Sequence, residues 1–399
     1  MTNQKYIHPF PARMAPEIAI HALKDLQAGD IILDPMAGSG TVLHQAALKG
    51  FSPIGFDLDP LAVLMSRVAT NKVDLNLLQQ YYISVAVEVD ALKLNDFSIP
   101  WIDEDEETAA FIRFWFAPRQ LNALRKLAFV LSRYQILNNN SIEVDALRLA
   151  LSRIIITKKI GASLAWDISH SRPHKKRDDN DYNVMEGYAD SVDTILKYLE
   201  HQEKIALKGE IKLGDARSLS TLRPNSVDKV ITSPPYLNAI DYLRGSKFSL
   251  VWLGYSIPKL REIRSNAIGA EKRLSYHSNY DQMNEIYTSL FQEKAFEEKQ
   301  NGMIKRYIND SISLMSEISR VLKHQRRATL VVGNSTLKGV YISNSEIFRQ
   351  AGTFSGLNCI NERIREIPVN QRYLPVPDNQ ASSLGKRMKE EVIMTFLND

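Results

Sequence analysis

The chain of 399 residues contains a single cysteine, Cys359. A disulfide framework within the chain and a cysteine-built metal site are both excluded by that count, and no metal site is expected. No apolar run approaches the roughly eighteen residues that a membrane-spanning helix needs. The first ten residues, Met1 to Phe10, lack the charged, then apolar, then small-residue order of a secretory leader. These absences point to the reducing cytoplasm. Internal repeats and low-complexity tracts are also missing. There is no strong excess of either charge: 50 Lys and Arg stand against 46 Asp and Glu, a net of +4. What is there is ordinary for a folded soluble chain, with 44% hydrophobic and 24% charged residues, and wholesale disorder is ruled out.

The order of apolar runs and turn residues points to an α/β protein. Asp30 to Asp34 is a short apolar run after Gly29 and reads as a buried strand. Pro35 to Gly40 is turn chemistry, and Thr41 to Leu48 reads as a helix ending at Gly50. Pro53 to Asp57 reads as a second strand, completing a strand–helix–strand unit of a parallel sheet. Residues 61 to 208 then look mostly helical, with Asp103 to Glu107 and Asn138 to Asn140 as exposed loops. Strand-like runs resume at Ile211 to Leu213 and Val227 to Ile231. Apolar residues at 304, 308, 312, 315, 318 and 322 mark one face of a long helix. Ala328 to Val332, Leu357 to Ile367 and Glu391 to Phe396 read as the last strands. One sheet is therefore interrupted twice. The larger interruption is too long for a crossover and should be a subdomain.

The first turn carries a ligand signature. Asp34-Pro35-Met36-Ala37-Gly38-Ser39-Gly40-Thr41 follows a strand and opens a helix. Glycines there allow close backbone approach, and a helix N-terminus offers unpaired N–H groups. The three-glycine dinucleotide fingerprint is absent, and no lysine follows Gly40 as a phosphate loop requires. A carboxylate at the helix N-terminus fits better than a phosphate. Asp57, at the end of the next strand, can accept hydrogen bonds from ribose hydroxyls, with Asp59 a second candidate. A ribose joined to an amino-acid tail describes S-adenosylmethionine.

The second signature is Thr232-Ser233-Pro234-Pro235-Tyr236, directly after the run Val227 to Ile231. Two prolines stop the strand and hold a rigid turn at its carboxyl end, where open α/β sheets place ligands. The Tyr236 ring suits a stacked planar substrate. The Ser233 hydroxyl oxygen and the Pro234 carbonyl can accept both N–H bonds of an exocyclic amine. That would draw the nitrogen lone pair out of the ring and aim it at a methyl sulfonium, without a strong base.

The pair of motifs resembles the S-adenosylmethionine-dependent amino-methyltransferases of DNA, with their glycine-rich cofactor turn and Pro-Pro-aromatic catalytic loop. Ser-Pro-Pro-Tyr is most similar to the N4-cytosine group. The resemblance implies a Rossmann-like methyltransferase fold: α/β, with a mostly parallel seven-stranded sheet and a largely helical inserted subdomain. It makes 1–60 and 209–399 a discontinuous catalytic core, 61–208 the helical insert with target recognition as its expected task, and 243–300 a second, smaller insertion. It implies cofactor contacts from His8, Pro9 and Phe10, from Asp34, Pro35, Ala37, Gly38, Ser39, Gly40 and Thr41, from Asp57 and Asp59, and from Asp215 in Leu213-Gly214-Asp215. Gly333-Asn334 is similar to a later strand end of the same fold. The resemblance covers roughly 1–60, 209–245 and 300–399. The order, cofactor turn before catalytic loop, is similar to the class with target recognition between the two. One departure is that the insert precedes Asp215.

DNA is the partner implied, with a cognate restriction endonuclease beside it in a restriction-modification system; the oligomeric state stays open. Local positive stretches suit a polyanion. Arg148 to Arg177 holds eight Lys and Arg against one acid, and Leu243 to Arg273 seven against two. Solvated helix faces are the other reading of such runs. Arg172, His174, Lys175, Lys176 and Arg177 form a proline-broken basic segment that reads as an exposed phosphate-contacting loop. Arg244 and Lys247, with Asn238, Asp241 and Tyr242, follow Tyr236 closely and are candidates for the target nucleotide or its phosphates. The aromatic run Phe111 to Phe116 reads as the core of a small helical domain rather than a stacking surface. A target base inside a duplex must be extruded, or single strands used.

Methylation at cytosine C5 needs a cysteine nucleophile. Cys359 lies in an expected late strand, away from any Pro-Cys pair, and reads as a buried structural residue. A zinc deaminase lacks its cysteine pair. N6-adenine methylation of DNA by the same chemistry is the first competitor, followed by guanine-N2 methylation of RNA. A nucleic-acid binder without catalysis is the competitor of a different class.

Overall fold

The computed structural model describes residues 7–9, 13–139, 141–157, 160–166, 173–175, 177–201, 208–237, 243–269, 279–294, 296–368 and 389–399. The chain begins α1 (Pro16–Ala22), β1 (Ile31–Asp34), α2 (Thr41–Leu48), β2 (Ser52–Asp57). A helical run follows: α3 (Pro60–Thr70), α4 (Leu75–Ala91), α5 (Pro100–Asp103), α6 (Glu106–Trp115), α7 (Pro118–Leu137) and α8 (Ile142–Ile155). The short strands β3 (Ala165–Trp166) and β4 (His174–Lys175) precede α9 (Val184–Glu200). Next come β5 (Glu210–Leu213), β6 (Val227–Thr232), α10 (Leu243–Leu250), α11 (Ile257–Asn266), α12 (Tyr280–Phe291) and α13 (Glu298–Val321). The chain closes with β7 (Leu322–Val332), β8 (Ser335–Leu337), β9 (Val340–Ile342), α14 (Asn344–Phe354), β10 (Leu357–Glu366) and β11 (Glu390–Asn398).

The contacts divide the chain into two compact units, one of Met1–Pro11, Asp59–Lys208 and Asp241–Arg264, the other of Ala12–Leu58, Gly209–Ile240 and Ser265–Asp399. The second unit holds a seven-stranded sheet of order β10-β11-β7-β6-β1-β2-β5. Strands β5, β2, β1, β6 and β7 pair in parallel, and β11 runs antiparallel to both β7 and β10. This is a Rossmann-like α/β sheet. The chain winds outward from β1 through β2 to β5, then returns to β1's other side with β6, which makes the β1–β6 boundary the switch point of the sheet.

Strand β6 is buried along its whole length, as expected for a parallel strand covered on both faces. Helix α13 packs an apolar stripe that includes Ile304, Ile308, Ile312, Met315 and Ile318 into the core under β6 and β7. On the other face, Ile32 and Ile231 meet Val42 and Ala46 of α2 and Ala19 of α1. At the amino ends of the strands, Asp228 accepts from the Ile31 amide at 3.0 Å and from Lys323 Nζ at 2.8 Å, fixing β1, β6 and β7 in register.

Among its described residues the first unit has helices and one strand pair, β3 and β4, which match Ala165 with Lys175 and Trp166 with His174. The basic segment is thus partly strand, rather than the loop its composition suggested. The acidic patch at 103–107 is also helix-forming. Asp105 caps α6 by accepting from the Thr108 amide at 2.7 Å, and Glu106 and Glu107 occupy the first turn, where negative charge favours the helix. Among the described residues no helix is long and apolar enough to cross a membrane, and no cluster of His, Cys, Asp and Glu is arranged to hold a metal ion.

Candidate active site

The site of the second unit is built on adjacent strand ends. Ile32 and Leu33 of β1 face Lys229 and Val230 of β6 in parallel register. The glycine turn and the Ser-Pro-Pro-Tyr loop therefore leave the sheet side by side, although far apart in sequence. A buried hydrogen bond locks them: Thr232 Oγ1 donates to Asp34 Oδ1 at 2.7 Å. The Met36 amide donates to the same oxygen at 3.2 Å. Burial pushes the Asp34 carboxyl up from 3.8 to about 7; the Thr232 and Met36 bonds oppose the rise and the charge of Asp57 adds to it.

Gly38 and Gly40 take positive φ, +52° and +80°, the left-handed region that glycine enters without strain. Gly40 caps α2 without a side-chain hydrogen bond, and the first turn of α2 has no acidic residue. Its amide end is consequently open to an anionic group. The turn is strapped to β2: the Ala37 amide donates to the Phe56 carbonyl at 2.8 Å and the Gly38 amide to Asp57 Oδ2 at 2.8 Å. Gly55 lets α2 sit on the sheet, since a Cβ there would lie 2.4 Å from Leu43 Cδ1. On the next strand the Gly214 amide donates to the Asp57 carbonyl at 3.0 Å, which places Asp215 just beyond the end of β5. Asp215 pairs with Arg217 at 2.6 Å, and Arg217 reaches the buried Asp310 at 2.6 Å. Burial works against the Arg217 charge, but its two carboxylate partners outweigh it and hold the guanidinium above its ordinary value.

On the other side of the switch point, Ser233 Oγ donates to the Val331 carbonyl of β7 at 3.0 Å. With its hydrogen so committed, the hydroxyl oxygen presents lone pairs as an acceptor. The Pro235 carbonyl accepts from the buried Tyr307 hydroxyl of α13 at 3.0 Å. Among the described residues, none donates a hydrogen bond to the Pro234 carbonyl. Tyr236 is half-buried, and burial raises its hydroxyl pKa.

Residues 5–90 match the family model described as UPF0020, an RMKL-like methyltransferase domain. The type II methyltransferase M.BsoBI of Geobacillus stearothermophilus is 26% identical over 328 residues, 75% of this chain and 60% of that protein. M.AvaI of Nostoc sp. is 25% identical over 385 residues, 85% of this chain and 75% of the relative. M.MvaI of Kocuria varians is 21% identical over the whole of this chain and 92% of its own length. The chain is similar to type II methyltransferases along most of its length. It spans 60% of the length of M.BsoBI. Similarity to solved structures is distant: TrmN of Thermus thermophilus aligns at 9% identity and TM-score 0.33 over 96% of this chain and 49% of its own.

In a methyltransferase the cofactor is S-adenosylmethionine, and the residues of the second unit fit it. The open amide end of α2 suits its carboxylate, Asp57 its ribose diol and Asp215 an adenine amine. Asp34, Pro35, Ala37, Gly38, Ser39, Gly40, Thr41, Asp57, Asp215 and the whole Ser-Pro-Pro-Tyr loop, Ser233 to Tyr236, belong to this unit. Among the described residues, the other expected ones belong to the first unit. There, His8 Nε2 lies 3.0 Å from Ser152 Oγ. Asp59 caps α3 through the Leu61 amide at 2.9 Å and accepts from Ser246 Oγ at 2.8 Å. Pro9, His174, Lys175, Arg177, Arg244 and Lys247 are also in that unit. Phe10, Arg172, Lys176, Asn238, Asp241 and Tyr242 lie outside the described residues.

Sequence reasoning missed Thr232, Tyr307 and Arg217. Thr232 had a signal, a hydroxyl side chain directly after the run Val227 to Ile231 and directly before the Ser-Pro-Pro-Tyr turn. Tyr307 had none, since a tyrosine on a long amphipathic helix looks like any other core residue.

Proposed function

We propose that this chain transfers a methyl group from S-adenosylmethionine to an exocyclic amine of DNA, the N4 amine of cytosine in a specific sequence. When bound, the cofactor supplies an electrophilic methyl on a sulfonium. Ser233 Oγ accepts one N–H of the amine and the Pro234 carbonyl the other, turning the nitrogen lone pair out of conjugation. The base stacks on Tyr236. The amine nitrogen bonds to the methyl carbon as the carbon–sulfur bond breaks, and the surplus amine proton leaves to solvent. Asp34 and Thr232 hold the two loops at the spacing this transfer needs.

The observation that carries the proposal is the orientation of Ser233: its hydrogen goes to Val331 of β7, on the far side of β6 from the glycine turn, so its lone pairs stay available as an acceptor. The type II methyltransferase relatives favour DNA as substrate and a cognate restriction endonuclease as partner. The helical insert at 61–208 serves target recognition in this reading, and 243–300 is a second, smaller insertion within the core. Arg172, His174, Lys175, Lys176, Arg177, Arg244 and Lys247 contact phosphate, and the enzyme works in the cytoplasm. Ser233→Ala should lower kcat roughly 100- to 1,000-fold, on the scale seen when one transition-state hydrogen-bonding group is removed. Cofactor Kd by calorimetry should stay unchanged, because the acceptor acts in the transition state. An unaltered kcat in that variant contradicts the mechanism.

A further inference from the structure

The aromatic run of α6 is not all core. Ile112 and Phe116 are buried, but Phe114 is 54% exposed and Phe111 and Trp115 are half-buried. Two further stretches of the first unit, β4 and α10, converge on these rings. Lys175 of β4 holds its ammonium 5.4 Å from the Phe114 centroid. Lys247 of α10 lies 5.1 Å from Phe111 and 5.8 Å from Phe248. Trp115 meets Phe114 edge-on at 5.0 Å and Phe248 at 4.9 Å. The assembly is tied down on both sides. The Leu164 amide, next to β3, donates to the Trp115 carbonyl at 2.8 Å. The Ile257 amide donates to Thr108 Oγ1 at 2.8 Å, joining the start of α11 to α6.

Resting on the reading of the chain as a DNA methyltransferase, we propose that Phe114, Lys175 and Lys247 form one DNA-strand-binding surface. Phe114 stacks on an unpaired base and the two lysines take flanking phosphates. An exposed ring bordered by ammonium groups pairs a sequence-tolerant π face with counter-charge, the two things a single strand needs. Glu106 and Glu107, on the same helix, are engaged by Arg113 and Arg261. Asp178 sits 3.0 Å from the Lys175 ammonium, but its side chain is 97% exposed, so the pair is weak and a phosphate can replace it.

The test titrates the full-length protein with a fluorescent mixed-sequence single-stranded oligodeoxynucleotide at several salt concentrations. Incorporation of labelled methyl into DNA is assayed in parallel. Phe114→Ala and Phe114→Leu should weaken binding roughly ten-fold at every salt concentration, leaving the salt slope unchanged. Phe114→Tyr should stay within about two-fold of the parent, because it restores a stacking ring. Lys175→Ala and Lys247→Ala should each lower the slope by about one. Parental affinity in Phe114→Ala, or a Phe114→Tyr variant no better than Phe114→Leu, overturns the proposal. If methyl still enters DNA in either case, the fault lies with this surface alone. Binding as expected without methyl incorporation would instead overturn the catalytic reading.

Discussion

Asp34 sits where the glycine turn meets the strand end that carries the Ser-Pro-Pro-Tyr loop, and burial raises the pKa of its carboxyl to about 7. A carboxyl with a raised native pKa costs stability as pH rises, because the unfolded chain gives up its proton first. The loss begins near 3.8 and is complete once pH passes about 7. The pKa difference corresponds to on the order of 4 kcal/mol. Asp34→Asn can still accept from Thr232 but does not ionise. Its stability by urea unfolding should gain on the parent between pH 4 and 7 and hold that gain above 7; parallel pH curves would contradict the assignment. Thr232→Val removes the donor to a buried acceptor and should cost about 1–3 kcal/mol in the same measurement. Both anchors of the site, Gly38 with Asp57 and Ser233 before two prolines, were legible in sequence because their chemistry is local. The Thr232–Asp34 and Tyr307–Pro235 contacts were not, because each joins residues distant in the chain. Cys359 corrects a sequence expectation: it is half-exposed on β10, and burial first, with Glu362 beside it, pushes its thiol up to about 11. A thiol held that high is a poor nucleophile.

At the scale of elements, helix α2 is positioned by what β2 lacks. With Leu43 Cδ1 only 2.4 Å and Ala37 Cβ 3.3 Å from the place where a Cβ at residue 55 would stand, Gly55→Ala must push aside the buried Leu43 side chain of α2 and press on Ala37 of the glycine turn. The overpacking should cost about 1–3 kcal/mol. It should also weaken cofactor binding measured by calorimetry, since Ala37 belongs to the turn. A variant with parental stability and affinity would contradict this account of how α2 is seated. Strong periodicity made α2, α13, β6 and β7 readable from sequence. Elements that depend on partners were hidden. Strands β3 and β4 are two residues each and exist only as a pair, so composition alone reads the basic segment as loop. The acidic patch became helix through capping and dipole effects that a count of charges does not contain.

The whole molecule is organised by the return of the chain to β1. After β2, residues 59–208 leave the sheet for the other compact unit, and β6 then takes the free side of β1. The expectation of one sheet with two interruptions came from the order of strand-like runs. The sequence boundaries were 61–208 and 243–300, whereas the contacts group 59–208 with 241–264 and return 265 onward to the sheet unit. Composition did not mark that second boundary, because α11 runs across it as one continuous helix. The most direct test of the account is mass spectrometry of nucleosides from unmodified DNA incubated with the protein and methyl-labelled S-adenosylmethionine. The account predicts label in N4-methylcytosine, nearly abolished by Ser233→Ala. Label in 5-methylcytosine, in N6-methyladenine or in no nucleoside would contradict it.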